Sequence, residues 1–200
     1  MDLSASSPDT LAARPGIART PVLWRGFLAS HGRGILKRMS AVSFPIRPSK
    51  TYTPKPPRGS FRRTRYATSS SNPRGEHRGV DCGAPENEII QLPEKAKKID
   101  GGYDKNGAGH WMEWQVLAGP WKGRYMRFFH MSRKNSHPIG TVKARKYAVG
   151  RVGHTGHVGK PVEKNNHLHF ELGKTRWDKG RDPRWNPTEA LQDAVRDKDY

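Results

Sequence analysis

Asn165-Asn166-His167-Leu168-His169-Phe170-Glu171-Leu172 places two histidines two residues apart in an apolar run. A strand turns successive side chains to opposite faces, so His167 and His169 share one face while Leu168 and Phe170 share the other. Two imidazoles held side by side on a strand can make half of a metal site, or a ligand beside a catalytic base. The pair becomes a site only if the rest of the chain adds an oxygen ligand, another nitrogen ligand and room for water.

Working outward, short runs with β character alternate with turn residues. Strands are predicted near Gly79–Cys82, Glu88–Leu92, Trp111–Leu117, Arg124–His130, Ala148–Val152 and His167–Leu172. Turns fall at Lys105-Asn106-Gly107, Gly119-Pro120, His137-Pro138 and Gly153-His154-Thr155-Gly156. From Pro187 to Val195 the spacing of Ala190, Leu191, Ala194 and Val195 predicts a short closing helix. The expected fold is mainly β: a compact antiparallel sheet or barrel-like domain.

The amino-terminal part has a different character. From Thr10 to Gly75 there is no acidic residue against fourteen Lys and Arg, and Thr68-Ser69-Ser70-Ser71 reads as a flexible loop. Residues 1–40 are expected to be a disordered basic extension and 41–76 a Pro/Arg-rich lead-in segment and linker. Within it, Val42-Ser43-Phe44-Pro45-Ile46 suits a short edge strand, and Met39 is an alternative start of the functional unit. Residues 77–175 then form the main domain and 176–200 a carboxy-terminal segment with the helix.

The 200-residue chain has a formal net charge of +19, which draws it to polyanions: nucleic acid, an anionic membrane surface or an acidic cell wall. No helix-turn-helix, zinc knuckle or RNA-binding motif supports specific nucleic-acid recognition. Apolar residues between Pro21 and Met39 are interrupted by Arg25, His31, Arg33, Lys37 and Arg38, so neither a signal peptide nor a membrane span is expected. The single cysteine, Cys82, excludes an internal disulfide and a Cys-based zinc site, which leaves His, Asp and Glu as ligands.

Three further pieces join the His-x-His strand. His77-Arg78-Gly79-Val80-Asp81 sets a histidine and a carboxylate four apart, on one face of an extended segment, with Val80 and Cys82 toward the core. Together with His169 they offer two nitrogens and one oxygen, the ligand set of a catalytic zinc with an open position. Tyr125-Met126-Arg127-Phe128-Phe129-His130 ends an aromatic strand in a histidine that can orient water or stabilise an oxyanion. Val149-Gly150-Arg151-Val152-Gly153-His154-Thr155-Gly156 is a glycine-rich turn that fixes where the next strand runs.

In this order and spacing the four pieces resemble the lysostaphin/LytM-type zinc endopeptidases, over roughly His77 to Leu172. The resemblance implies a compact antiparallel β fold (the duplicated hybrid motif type) with a groove over Zn2+. It implies His77, Asp81 and His169 as metal ligands and His130 and His167 as catalytic histidines. It also implies hydrolysis of peptide bonds in bacterial peptidoglycan. The basic amino-terminal region would then hold the enzyme on anionic wall polymers, as in a phage-type lysin released at lysis or carried in the virion.

The sequence departs from the pattern at Cys82, expected to be a buried small hydrophobe, and at Asn165-Asn166, where a small pair is usual. Asp100 to His110 and Lys160 to Asn165 read as loops forming the groove walls. His154 and His157 are candidate substrate contacts, and His110 and His137 read as surface residues. The competing readings are a wall-binding module without activity and a basic protein that binds nucleic acid nonspecifically.

Overall fold

The computed structural model describes residues 41–57, 61–62, 75–133, 137–158, 165–177 and 184–200. The expected basic extension of residues 1–40, the Ser-rich loop at 68–71 and most of the expected loop from Lys160 to Asn165 lie outside the described residues.

Six strands form one antiparallel path. In chain order they are β1 (Val80–Gly83), β3 (Ala96–Asp104), β4 (Gly109–Val116), β5 (Tyr125–Met131), β6 (Val142–Lys143) and β8 (His167–Gly173). Their lateral order is β1-β8-β5-β4-β3-β6, and β9 (Arg184–Trp185) adds to β8. A second, two-stranded sheet pairs β2 (Ile89–Gln91) with β7 (Ala148–Arg151). The fold is therefore mainly β and antiparallel, with one short helix among the described residues, α1 (Thr188–Arg196). No helix among the described residues is long and apolar enough to cross a membrane.

Alternation along the strands separates two faces. Val80 and Cys82 of β1, Leu168 and Phe170 of β8, Phe128 of β5 and Met112 and Trp114 of β4 all face the core. The β2–β7 pair closes that core with Ile90 and Val149, and α1 adds Leu191 and Ala194. Val42, Phe44 and Ile46 are fully buried in the same cluster, and Ile46 bridges to Ile90. The segment expected as a lead-in and linker thus supplies core side chains. Asp199, beyond α1, binds it in place: Asp199 pairs with Arg145 and Lys146, and the Ser43 hydroxyl donates to its carboxylate.

The groove-wall loop expected at Asp100–His110 is not a loop. Ala96–Asp104 is the nine-residue strand β3, and only residues 105–108 turn before β4 begins at Gly109. Gly101 and Gly102 suggested a break, but they serve packing. A Cβ on Gly102 would meet the Trp111 indole of β4 at 3.3 Å, so the missing side chain lets that ring lie across the strand.

Candidate metal centre

The register of β1 against β8 sets Asp81 directly opposite His169. Directly opposed residues of paired strands project to the same face, so one strand pair delivers both side chains to the face away from the core. His77 precedes β1 and reaches the same point, and it is almost fully buried. His77 Nε2 lies 2.9 Å from His169 Nδ1 and 3.1 Å from Asp81 Oδ1, and His169 Nδ1 lies 2.9 Å from Asp81 Oδ1. Three atoms with ligating lone pairs thus converge. This arrangement needs a positive centre: a proton on a ring nitrogen, or a cation held by all three, which could be a metal ion. The triangle is slightly tighter than the roughly 3.3 Å spacing that metal–nitrogen bonds of about 2.0–2.1 Å give in a tetrahedral site. The residues therefore fit a zinc-sized ion with small side-chain adjustments.

The two remaining histidines stand beside this triangle. His167 is two residues before His169 on β8, and its Nε2 is 3.7 Å from Asp81 Oδ1. Its Nδ1 is 2.6 Å from the Asn165 carbonyl. A carbonyl only accepts, so Nδ1 carries the proton and Nε2 presents a lone pair. His130 repeats the arrangement, with Nδ1 donating to the Thr155 carbonyl at 2.9 Å. The His130 and His167 rings are 4.9 Å apart, and His130 lies 6.0 Å from the His169 ring.

His130 reaches the site because β5 breaks its alternation. Phe128 faces the core and Phe129 stacks on His169, so a regular strand would return His130 to the core. Instead His130 has φ 60°, in the left-handed region, and the β4–β5 register shifts beside it. The residue turns to the site face and Met131 returns to the core. A non-glycine residue at such φ is uncommon and marks a position held by its surroundings. Here the holding element is the glycine-rich turn. Thr155 accepts from His130 through its carbonyl, donates its hydroxyl to Met131 O and accepts the His110 amide. The turn, expected only to direct β8, also aims His130.

Burial and charge set the protonation of these groups. Burial, then the charges of His167 and His169, pull His130 down to about 3. Burial likewise lowers His167. For His169 burial acts downward, but hydrogen bonds and charge from Asp81 and Glu171 outweigh it and raise the ring to about 9. Asp81 is half-buried, which acts to raise it, yet His169 and His77 hold it well below the usual carboxylate range.

His77, His130 and His169 line a cleft of about 220 Å³, whose walls also include Phe129, Asn106, Gly107 and His157. His154 instead pairs with Asn166 and Glu86. Cys82 is buried on the core side, where burial pushes its thiol far up, so it is no nucleophile.

The sequence reading missed what lies behind His169. Glu113 of β4, Arg127 of β5 and Glu171 of β8 sit opposite one another in register, forming a buried row of alternating charge across three strands. Arg127 Nε donates to Glu113 at 2.8 Å, and Arg184 Nε lies 2.9 Å from Glu171. Glu171 Oε1 lies 3.4 Å from His169 Nε2. The available signal was that Glu113, Arg127 and Glu171 each occupy the face opposite the core in an otherwise apolar strand.

No family model and no curated protein matches the chain. Solved structures do. LytU aligns over 76% of this chain and 96% of its own at TM-score 0.53 and 18% identity. LytM from Ruminococcus gnavus aligns over 78% and 61% at TM-score 0.54 and 18% identity. The chain has the LytM-type peptidase fold. A zinc containing peptidase from Vibrio cholerae aligns over 76% of this chain and 40% of its own, at TM-score 0.48 and 18% identity. The chain thus spans less than two thirds of two of these three proteins. In this LytM-type fold the triangle and both flanking imidazoles lie on the face of the sheet away from the core.

Proposed function

We propose that this protein is a zinc-dependent endopeptidase that cuts peptide bonds of bacterial peptidoglycan, in cross-links or stem peptides. The observation that carries this reading is the convergence of His77, Asp81 and His169 beside two neutral imidazoles on a peptidase fold. His77 Nε2, Asp81 Oδ1 and His169 Nδ1 would hold the metal. Bound zinc polarises a carbonyl and makes water acidic enough to react near neutral pH.

His167 and His130 then act through Nε2, which in both rings is the unprotonated nitrogen. His167, closer to Asp81, is the general base that takes the proton of the attacking water and delivers it to the leaving amine. His130 is held neutral down to about pH 3 and so presents an acceptor rather than a cation. This favours orienting the attacking water over stabilising an oxyanion, which needs a donor. The net charge of +19 suits a wall carrying acidic polymers, with the basic amino-terminal region adding affinity, as in a lysin of phage type.

The test is mass spectrometry of purified peptidoglycan incubated with the protein, with and without a chelator. New amino termini that vanish with chelator and return with zinc are expected, and they name the bond. Products that persist unchanged in chelator would overturn the metal dependence. An absence of products from walls of several cross-link types, with zinc bound, would leave a wall-binding module as the better reading.

A further inference from the structure

We infer that Glu171 is the positioning residue of the metal centre: it accepts a hydrogen bond from His169 Nε2–H and so fixes the imidazole with its Nδ1 lone pair turned toward His77 and Asp81. The inference rests on the zinc-site reading and adds a residue that the reading does not contain.

Four observations support it. First, the two nitrogens of His169 are divided between two carboxylates: Nδ1 is 2.9 Å from Asp81 and Nε2 is 3.4 Å from Glu171. A neutral imidazole has one proton, and the nitrogen that ligates must be the other one. Second, Glu171 is itself held. Its Oε2 lies 2.9 Å from Arg184 Nε and 3.6 Å from Arg127 Nη1, while Oε1 serves His169.

Third, that support is rigid. Arg127 lies in register between Glu113 and Glu171, and it also donates to the Thr175 carbonyl at 2.6 Å. The Trp177 amide caps Glu113 at 2.7 Å. Two carboxylates pair with two guanidiniums in this network, so Glu171 stays ionised and serves as an acceptor for His169. Fourth, Phe129 stacks on the His169 ring at 5.5 Å between centroids, which leaves hydrogen bonding to choose the nitrogen.

Outer carboxylates that accept from ligating histidines typically contribute 10- to 100-fold in metal affinity. The experiment measures the zinc dissociation constant of the full chain by chelator competition, for wild type, Glu171→Ala and Glu171→Gln, with melting curves of each. Glu171→Ala is expected to weaken zinc binding about 10- to 100-fold. Glu171→Gln, which keeps an acceptor oxygen, is expected to recover most of that loss. A folded Glu171→Ala with wild-type zinc affinity would overturn the role of Glu171 while leaving the metal site standing.

If Glu171→Ala fails to fold, nitrogen-15 spectra of the zinc-loaded wild type decide the matter. His169 should show a protonated Nε2 and a metal-bound Nδ1, and the reverse pattern overturns the inference. A wild-type protein that binds no zinc would instead sink the metal-centre reading itself, and the Glu171 role with it.

Discussion

At Gly79 the backbone passes directly over the His169–Glu171 pair. A Cβ there would stand 2.7 Å from His169 Nε2 and 2.9 Å from Glu171 Cγ, and closer still to the Phe170 carbonyl. Neither the strand carbonyl nor the anchored carboxylate can yield cheaply. Gly79→Ala is therefore expected to destabilise the fold by about 1–3 kcal/mol, the usual cost of overpacking. It should also weaken zinc binding, because the displaced group is the proposed ligand His169. Melting and chelator competition read the two effects separately. The flanking histidines make a sharper contrast. His167→Ala should abolish hydrolysis and keep zinc, since His167 faces the triangle without belonging to it. His169→Ala should lose both, and full zinc occupancy in that variant would refute the ligand assignment. The five proposed site positions, His77, Asp81, His130, His167 and His169, could be picked out in the sequence because each stands out as a polar group in a short apolar or glycine-rich run, and the fold brings them together. Glu171 was not, since a carboxylate in a strand reads as an exposed residue until its buried cations are seen.

The elements divide in the same way. Strands β1, β2, β4, β5, β7 and β8 were legible because apolar residues cluster between turn residues, and α1 because its apolar residues recur at helical spacing. Strand β3 was not: Ile99 and Tyr103 are outnumbered by Lys97, Lys98, Asp100, Gly101 and Gly102, which disfavour a strand, and tertiary pairing with β4 overrides that local preference. The bulge that turns His130 was equally hidden, because it arises from a register shift between strands rather than from a residue type. Helix α1 provides a test at this scale. Its Leu191 is fully buried against a core that also contains Phe44 and Ile46. Leu191→Ala should cost about 2–5 kcal/mol, the range for emptying a buried leucine site. Because Leu191 belongs to the core cluster and the site residues lie on the opposite face of the sheet, the variant should bind zinc with unchanged affinity below its lowered melting temperature. A loss of affinity matching the loss of stability would mean that α1 and the metal centre are coupled.

For the molecule as a whole, the pH dependence of stability is set by groups whose burial opposes their charge, and Glu94 is the clearest case. It is buried beneath Gly119, whose turn closes over the carboxylate, and its Oε1 has no hydrogen-bond partner among the described residues. Burial raises it to about 7; the Arg145 cation acts against this and Asp199 adds to it. The sign follows from proton binding. Between the ordinary glutamate value of 4.5 and about 7 the folded protein keeps the Glu94 proton while the unfolded chain has lost it. The unfolded state then binds fewer protons, so stability from this group falls as pH rises through that window, by up to about 3 kcal/mol. His130 works in the opposite sense. Held down to about 3, it stays neutral in the fold while the unfolded chain protonates below 6.5, so it erodes stability as pH falls. Glu171, held at about 2 chiefly by the Arg184 charge against its burial, does the same at lower pH. Between about pH 4.5 and 6.5 the Glu94 and His130 contributions act against each other, so the Glu94 contribution is read by difference from a variant that lacks its carboxyl. Glu94→Gln carries no titrating group beneath the Gly119 turn. Its melting temperature relative to wild type should rise as pH goes from 5 to 8, and the difference between the two proteins should be constant below about pH 4.5. Identical curves for the two proteins would mean that Glu94 ionises in the fold at its ordinary value, with Arg145 close enough to hold the charge.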